Sequence, residues 1–507
     1  MHLSLLLYFL RLATVALCAL EVDLDSPDSI RSAAKQVAYD LMTFYKGNQS
    51  GQVPGILPGP PPNGDYYWWQ GGALWGTMLD YWHYTGDDTY NHVVNQSLLF
   101  QTGPDRDYME PNWTASLGND DQAFWGMSAM LAAEVKFPDP PKGLPQWLAL
   151  AQAVWNEQAS EDRRNSSLCG MGLRWQIYPQ NPGYDYKNTI ANAAFFNIGA
   201  RLARYTENNT YATWCEDTWN WLFEYGIMVN NNNVYDVADG VHIWAKEVDG
   251  SLRLDCGQVG KAQFTYNAAA LIQGAAFLYN YTNGNKTWAY RIEGLLNGIE
   301  QHFISNDTRS PRTLIEPACG GATATCTVDM RSFKGYTHRW LATTAQLAPF
   351  TAKRIRIILK SSTQAAVNQC TGGANGRMCG FQWASGTFTG PPGAGEQMNV
   401  VAALSSLLSL LDQGINAPVT NSTGGTSTGD PNAGVRKPLT QQPFSITVSD
   451  KVGAFIITAV LAIGASAMLI WMSMDEGLIN KRASYGLQES YDLEDMSRKR
   501  GILSRYR

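Results

Sequence analysis

The 507-residue sequence is poor in charge: Asp, Glu, Lys and Arg together make up 16% of it, against roughly a quarter in an ordinary soluble domain. The net charge of −6 and the acidic balance argue against a nucleic-acid partner, since a phosphate backbone needs clustered Lys and Arg. Histidine is scarcer still, with six in the chain and none paired at metal-ligand spacing. There is no His-Glu-x-x-His, no Gly-x-Ser-x-Gly elbow, no phosphate loop and no dinucleotide fingerprint. Hydrolysis by zinc or by a serine-histidine pair is therefore set aside, and no metal or cofactor is expected. Alternating strand-like runs are rare as well.

Aromatic rings are abundant instead, with 17 Trp, 24 Tyr and 17 Phe. The first twenty residues form an apolar run broken by Arg11 and are expected to be a secretory leader (1–20), with an uncleaved anchor as the alternative. Secretion is supported by Asn-x-Ser/Thr sequons at Asn48, Asn95, Asn112, Asn165, Asn208, Asn280, Asn285, Asn306 and Asn421. Cysteine usage fits an oxidising compartment. Cys319 with Cys326 and Cys370 with Cys379 would each close a short loop, Cys169 with Cys256 is a third candidate pair, and Cys215 is left as a buried thiol. Near the C-terminus, residues 452–474 are uncharged and long enough to cross a bilayer, followed by a basic tail (475–507) that the positive-inside tendency places in the cytoplasm. Residues 416–451, rich in Ser, Thr, Gly, Pro and Asn, read as a flexible stalk. Residues 21–415 remain as one extracytoplasmic domain.

That domain is expected to be all-α. Apolar residues recur every three to four positions over 123–135, 190–205, 265–279, 343–350 and 398–411. A loose repeat separates such runs: Tyr84-Thr85-Gly86-Asp87-Asp88-Thr89-Tyr90, then 205–211 and 281–288. Each combines turn-forming Gly, Asn or Asp with a Thr or Asn that can cap the next helix. The uneven spacing favours a closed toroid of helical hairpins over a regular solenoid.

With other hydrolytic machinery missing, two carboxylates are the economical apparatus, and that points to glycoside chemistry. The candidate pair is Asp120-Asp121, in a Gly-Asn turn that opens an apolar helix. Neighbouring carboxylates can lie within the roughly 5 Å that a retaining mechanism needs, and their repulsion leaves one of them protonated. Ordinary helix capping accounts for the same residues. Adjacent rings at Tyr66-Tyr67-Trp68-Trp69 offer flat apolar faces for sugars or, equally, core packing.

Five motifs carry a family resemblance: Tyr67 to Gly76 (Tyr-Trp-Trp-Gln-Gly-Gly-Ala-Leu-Trp-Gly), Asn119-Asp120-Asp121-Gln122, Gly172-Leu173-Arg174-Trp175-Gln176-Ile177, Gly183-Tyr184-Asp185-Tyr186-Lys187-Asn188 and Arg331-Ser332-Phe333-Lys334-Gly335-Tyr336. In this order, over residues 25–413, the chain resembles the fungal branch of glycoside hydrolase family 76, which includes cell-wall proteins related to mannan endo-1,6-alpha-mannosidase. The resemblance implies an (α/α)6 toroid and retaining hydrolysis or transglycosylation at α-1,6-mannosyl linkages, with Asp120 as nucleophile and Asp121 as general acid/base. It also implies that wall glucan could be an acceptor. Within the matched motifs, Trp69, Trp125, Tyr184, Asp185, Asn188 and Lys334 are the expected substrate-binding residues. A non-catalytic mannan-binding surface protein is the alternative. The polar tail after the apolar run departs from the relatives' glycolipid-anchor pattern and favours a spanning helix.

Overall fold

The computed structural model describes residues 19–113, 116–248, 251–308, 310–320, 326–412, 414–435 and 451–472. The expected leader up to residue 18 and the tail 475–507 lie outside the described residues.

In residues 19–435, twelve helices of ten residues or more alternate between two environments: α1 Pro27–Met42, α2 Trp69–Thr85, α3 Asn91–Phe100, α4 Asn119–Glu134, α5 Trp147–Ala159, α6 Thr189–Thr206, α7 Asn209–Glu224, α8 Thr265–Tyr281, α9 Lys286–His302, α10 Phe333–Leu347, α11 Ala352–Asn368 and α12 Ala394–Leu408. The even-numbered helices are buried almost all round, which is why their sequences read as nearly unbroken apolar and small residues. The odd-numbered helices bury one stripe, except α5, which is buried nearly all round. In α1 it is Ile30, Ala33, Ala34, Val37, Ala38 and Leu41, at helical spacing. The even helices contact one another in sequence, α2 to α4 to α6 to α8 to α10 to α12, and α12 returns to α2. This closed inner ring of six helices, backed by six outer ones, is the expected toroid.

The turns singled out in the sequence join inner to outer helices at one end of the ring. Gly86 ends α2 with φ 76°, a left-handed conformation that glycine adopts without steric cost. Asp87 Oδ1 accepts from Thr89 N at 3.0 Å, Asn208 Oδ1 from Thr210 N at 3.0 Å and Asn285 Oδ1 from Thr287 N at 2.8 Å. Within the ring, buried charges are paired: Arg201 on α6 grips Glu134 on α4 at 2.6 Å, and Arg339 on α10 reaches Asp80 on α2, so neither leaves an uncompensated charge in the core.

The toroid carries one addition that the sequence reading did not foresee. β1 (Tyr186–Asn188), β4 (Gly240–Val248) and β5 (Ser251–Gly260) form an antiparallel sheet, while β2 (Met228–Asn230) pairs with β3 (Tyr235–Val237) and β6 (Cys370–Gly372) with β7 (Met378–Cys379). The three anticipated disulfides are present, and Cys215 is buried and free.

The stalk expectation needs correction for residues 416–435. Val419 N donates to Glu134 O at 2.9 Å, Ser422 Oγ to Glu207 Oε1 at 2.8 Å, Leu148 N to Ser427 Oγ at 3.0 Å, and Asn156 Nδ2 to Pro431 O and Ala433 O. The segment is a strap across the turn-bearing ends of α4 and α6 and along α5. Its polar composition hid this, because hydrogen bonds of its backbone and of its Ser side chains hold it. A separate unit, residues 437–507, contains the helix Lys451–Met472, with mean hydropathy 2.3. At 1.5 Å per residue it is about 33 Å long, enough to cross a hydrocarbon core.

Candidate active site

All six inner helices begin at the end of the ring opposite the turns, and a cleft opens where five of those N-termini converge. It is lined by Trp69 (α2), Asp120, Asp121 and Phe124 (α4), Asn188 and Ile190 (entering α6), Phe264 and Tyr266 (α8) and Phe333 (α10), with Trp175, Tyr186, Asp239, Asp329 and Met330 from the connecting segments. This lobe holds about 310 Å³. A second lobe of about 470 Å³ shares Trp69, Asp121, Trp175 and Asp329 and runs on past Tyr67, Trp113, Gln176 and Asn181. Asp121 stands where the lobes meet, whereas Asp120 lines the first alone.

The local sequence explains the presentation of the pair. Gly118 caps α4 and forms a bridge with Gln176. Asn119 and Gln122, on either side of the two aspartates, turn inward. Asn119 Oδ1 accepts from Arg163 at 2.6 Å and Asn119 Nδ2 donates to Arg174 O at 2.9 Å; Gln122 Nε2 donates to Glu157 Oε2 at 2.7 Å, and Glu157 is paired with Arg163. This buried network clamps the first turn from below and aims both aspartates into the cleft. Asp121 Oδ2 accepts from Gly118 N at 2.7 Å, closing the helix start, so capping and cleft exposure coexist in one side chain. Asp120 Oδ2 accepts from Asn188 Nδ2 at 3.0 Å and its Oδ1 from Asp121 N at 3.0 Å. A Cβ on Gly118 would press on Asp120 Oδ1 and lie 3.3 Å from Asp121 Oδ2. Both oxygens therefore border the same small space, less than about 6 Å apart, inside the spacing of an inverting pair.

Burial raises the pKa of Asp120 to about 7 against the pull of Asn188 and the Asp121 amide. Burial, then the charge of Asp120, lift Asp121 well above the usual carboxylate range. Asn188 and the Asp121 amide favour the ionised form of Asp120 and the Gly118 amide that of Asp121, while Asp239 repels the first charge and Asp120 and Asp329 repel the second, so the pair resists ionising together. The inner-helix N-termini add positive potential at the cleft, which further favours one carboxylate.

The other expected residues divide. Trp69 lines both lobes and donates from Nε1 to Asp329 Oδ1 at 3.2 Å. Asn188 is in the cleft through Asp120. Trp125 is not: it is fully buried, stacked between Trp68 and Tyr108 at 5.1 and 5.6 Å. Gly71 and Gly72 are small to admit its ring, since a Cβ on Gly72 would sit 2.9 Å from it. Lys334 lies under the cleft, its Nζ over the rings of Phe381 and Trp383 at 3.9 and 4.0 Å. Helical periodicity turns it inward from Phe333, which does line the cleft. Tyr184 is covered by the Arg174 guanidinium at 4.2 Å, and Asp185 projects into solvent beside His242; both stand outside the two lobes.

Asp239 and Asp329 were missed, as were Tyr186 and Tyr266. Asp239 accepts from Tyr186 Oη at 2.8 Å, and burial raises its pKa. Burial likewise lifts Asp329 to about 6 against the bond from Trp69. The only sequence signal was proximity: Asp329 lies two residues before the Arg331 motif, and Tyr186 lies inside a quoted one.

A family model described as glycosyl hydrolase family 76 matches residues 29–422. The chain is 43% identical over 455 residues to mannan endo-1,6-alpha-mannosidase DCW1 of Saccharomyces cerevisiae, which covers 90% of this chain and 95% of that protein. It is similar to the crystal structure of Dfg5 from Chaetomium thermophilum in complex with glucosamine, with a TM-score of 0.75 and 53% identity over 82% of this chain and 98% of that one. An inactive variant of the alpha-1,6-mannanase of Salegentibacter sp. HEL1_6, with two aspartates changed to asparagine and alpha-1,6-mannotriose bound, shares the fold at TM-score 0.55 and 14% identity, over 75% of this chain and 99% of that one. The match across most of the chain, the high identity to fungal proteins and the common toroid agree: the chain is a glycoside hydrolase and belongs to glycosyl hydrolase family 76, in the fungal branch that holds DCW1 and Dfg5.

Proposed function

We propose that this protein is a retaining, endo-acting α-1,6-mannosidase or transglycosidase of fungal cell-wall biogenesis, held outside the cytoplasm by its Lys451–Met472 helix. The observation that carries the reading is the side-by-side placement of Asp120 and Asp121 at the junction of two aromatic-lined lobes. A cleft open on both sides of the pair suits an internal linkage. The lobe lined by both aspartates would take the mannosyl unit that is attacked, and the lobe that meets Asp121 alone would take the leaving sugar.

In this mechanism protonated Asp121 gives its proton to the glycosidic oxygen as the Asp120 carboxylate attacks the anomeric carbon. The carbon–oxygen bond breaks, the leaving sugar departs with the proton, and a glycosyl ester forms on Asp120. Asp121, now ionised, takes a proton from water or from an acceptor hydroxyl that displaces Asp120. Hydrolysis and transfer differ only in what occupies the second lobe. Trp113, Gln176 and Asn181 there supply a ring and polar groups for an acceptor such as wall glucan.

The test is to incubate the full chain in detergent with an α-1,6-mannan oligosaccharide, with and without a β-glucan acceptor, and to follow the anomer of the first product by NMR. The α-anomer, or a mannosyl–glucan adduct, is expected. A β-anomer as the first product overturns retention, and no cleavage or transfer overturns the enzymatic reading of this substrate.

A further inference from the structure

The sheet beside the cleft presents a row of rings on its outer face. Along β4, Val241 and Ile243 are buried while His242 and Trp244 point outward. His242 stands opposite Tyr186 in the β1–β4 register, and the two rings meet at 4.3 Å. Tyr186 itself lines the cleft and holds Asp239, so the row begins inside the site. Trp244 follows one pleat further along β4, roughly 7 Å on, and is 51% exposed. Its indole lies across Gly257 of β5: a Cβ at Gly257 would be 2.7 Å from Cε2 and Nε1. The Cε2–Nε1 side of the indole therefore rests against the β5 backbone, and half of the side chain is open to water.

A half-exposed ring seated at a glycine, one pleat beyond a His–Tyr ring pair that reaches the cleft, is a platform for the C–H face of a sugar. The row is one ring wide, far narrower than the roughly 1,000 Å² a stable protein partner covers. It is bordered by the exposed carboxylate of Asp185, 4.0 Å from His242 Nδ1, which can accept bonds from hydroxyls. We propose that Tyr186, His242 and Trp244 form a distal glycan-binding strip that holds the part of an extended mannosyl chain leaving the cleft past Asp239. The proposal rests on the mannosyl reading above. It also gives Asp185, absent from the two lobes, a place along the substrate's path.

The experiment measures binding without turnover. The full chain carrying Asp120→Asn and Asp121→Asn is titrated in detergent with α-1,6-mannobiose and α-1,6-mannohexaose by calorimetry, with and without Trp244→Ala. Trp244→Ala is expected to weaken hexaose binding roughly tenfold and to leave the biose unchanged, and Trp244→Phe is expected to restore most of the loss. Equal hexaose affinity with and without Trp244→Ala removes the strip alone. Absence of binding by either sugar to the parent double variant removes the mannosyl reading and the strip with it. The Trp244 indole proton, followed by NMR in the otherwise unaltered double variant, is an independent check: it should shift with the hexaose and not with the biose, and no shift with the hexaose counts against the strip.

Discussion

Trp69 and Trp125 differ by what lies on their second face. Trp125 has Trp68 on one side and Tyr108 on the other, whereas Trp69 packs on Phe124 and turns an edge toward Asp329 and the cleft. Trp125→Ala should therefore cost about 3–5 kcal/mol of stability and leave KM unchanged in the fraction that folds. Trp69→Ala should raise KM roughly tenfold through lost sugar stacking, with a smaller fall in Tm; steady-state kinetics beside thermal unfolding separates the two. At the aspartates, Asp121→Asn should lower kcat by about 10²–10⁴ on mannan. With an aryl mannoside, whose leaving group needs no acid, azide should restore turnover as the glycosyl azide of retained configuration, because it attacks the ester on Asp120 without a base. In Asp120→Asn azide can enter only in place of the missing carboxylate, so any rescued product should be the glycosyl azide of inverted configuration. Retained azide from the Asp120 variant and inverted azide from the Asp121 variant would exchange the two roles.

Between elements, the strap and the inner-helix starts show what the sequence could reveal and what it could not. Gly434 has φ 70°, and a Cβ there would collide with the backbone of Ala153 on α5. Gly434→Val should lift the end of the strap and expose residues 416–435 to protease, while activity at the distant cleft is retained; limited proteolysis with product sequencing reads this directly. The inner helices α4, α6, α8 and α12 were legible because all-round burial writes itself as long apolar runs, and their turns because Asx caps are local chemistry; α2 gave no such run, and the 343–350 run met only the end of α10. The strap was not legible, since its anchors are backbone and side-chain groups of residues hundreds of positions away. For the same reason Asp120 and Asp121, adjacent in one motif, were legible as a pair, while Asp239 and Asp329 reach the cleft only through tertiary folding. A motif also does not say which of its side chains faces inward: Phe333 and its neighbour Lys334 point to opposite sides of the cleft floor.

For the whole molecule, buried carboxyls in and under the cleft make the fold less stable as pH rises toward neutrality, and they outnumber His338, whose pKa burial lowers to about 3 and which acts with the opposite sign. Burial raises Asp120 and Glu316 to about 7 and Asp329 to about 6, and Asp239 also lies above its ordinary value. In the unfolded chain such groups titrate near 4. Between pH 4 and 7 the folded state thus holds protons that the unfolded state has released, and stability falls as pH rises through that window. Below it the sign reverses. Asp87, held low despite its burial by bonds from Thr89, Tyr81 and Lys35, and Asp412, held low by the Gly414 amide and Arg31, lose their stabilising charge as they protonate. Thermal unfolding of the full chain in detergent should therefore give its highest Tm near pH 4–5 and a decline toward neutrality. Replacing both Asp120 and Asp121 by Asn removes two of the groups that resist ionisation. The double variant should exceed the parent in Tm at pH 7, with the gap closing by pH 4, the usual exchange of stability for a charged active site. A gap that stayed constant with pH would show that these two carboxyls keep ordinary pKa values in the fold, and would leave Asp121 without the proton that its proposed role requires.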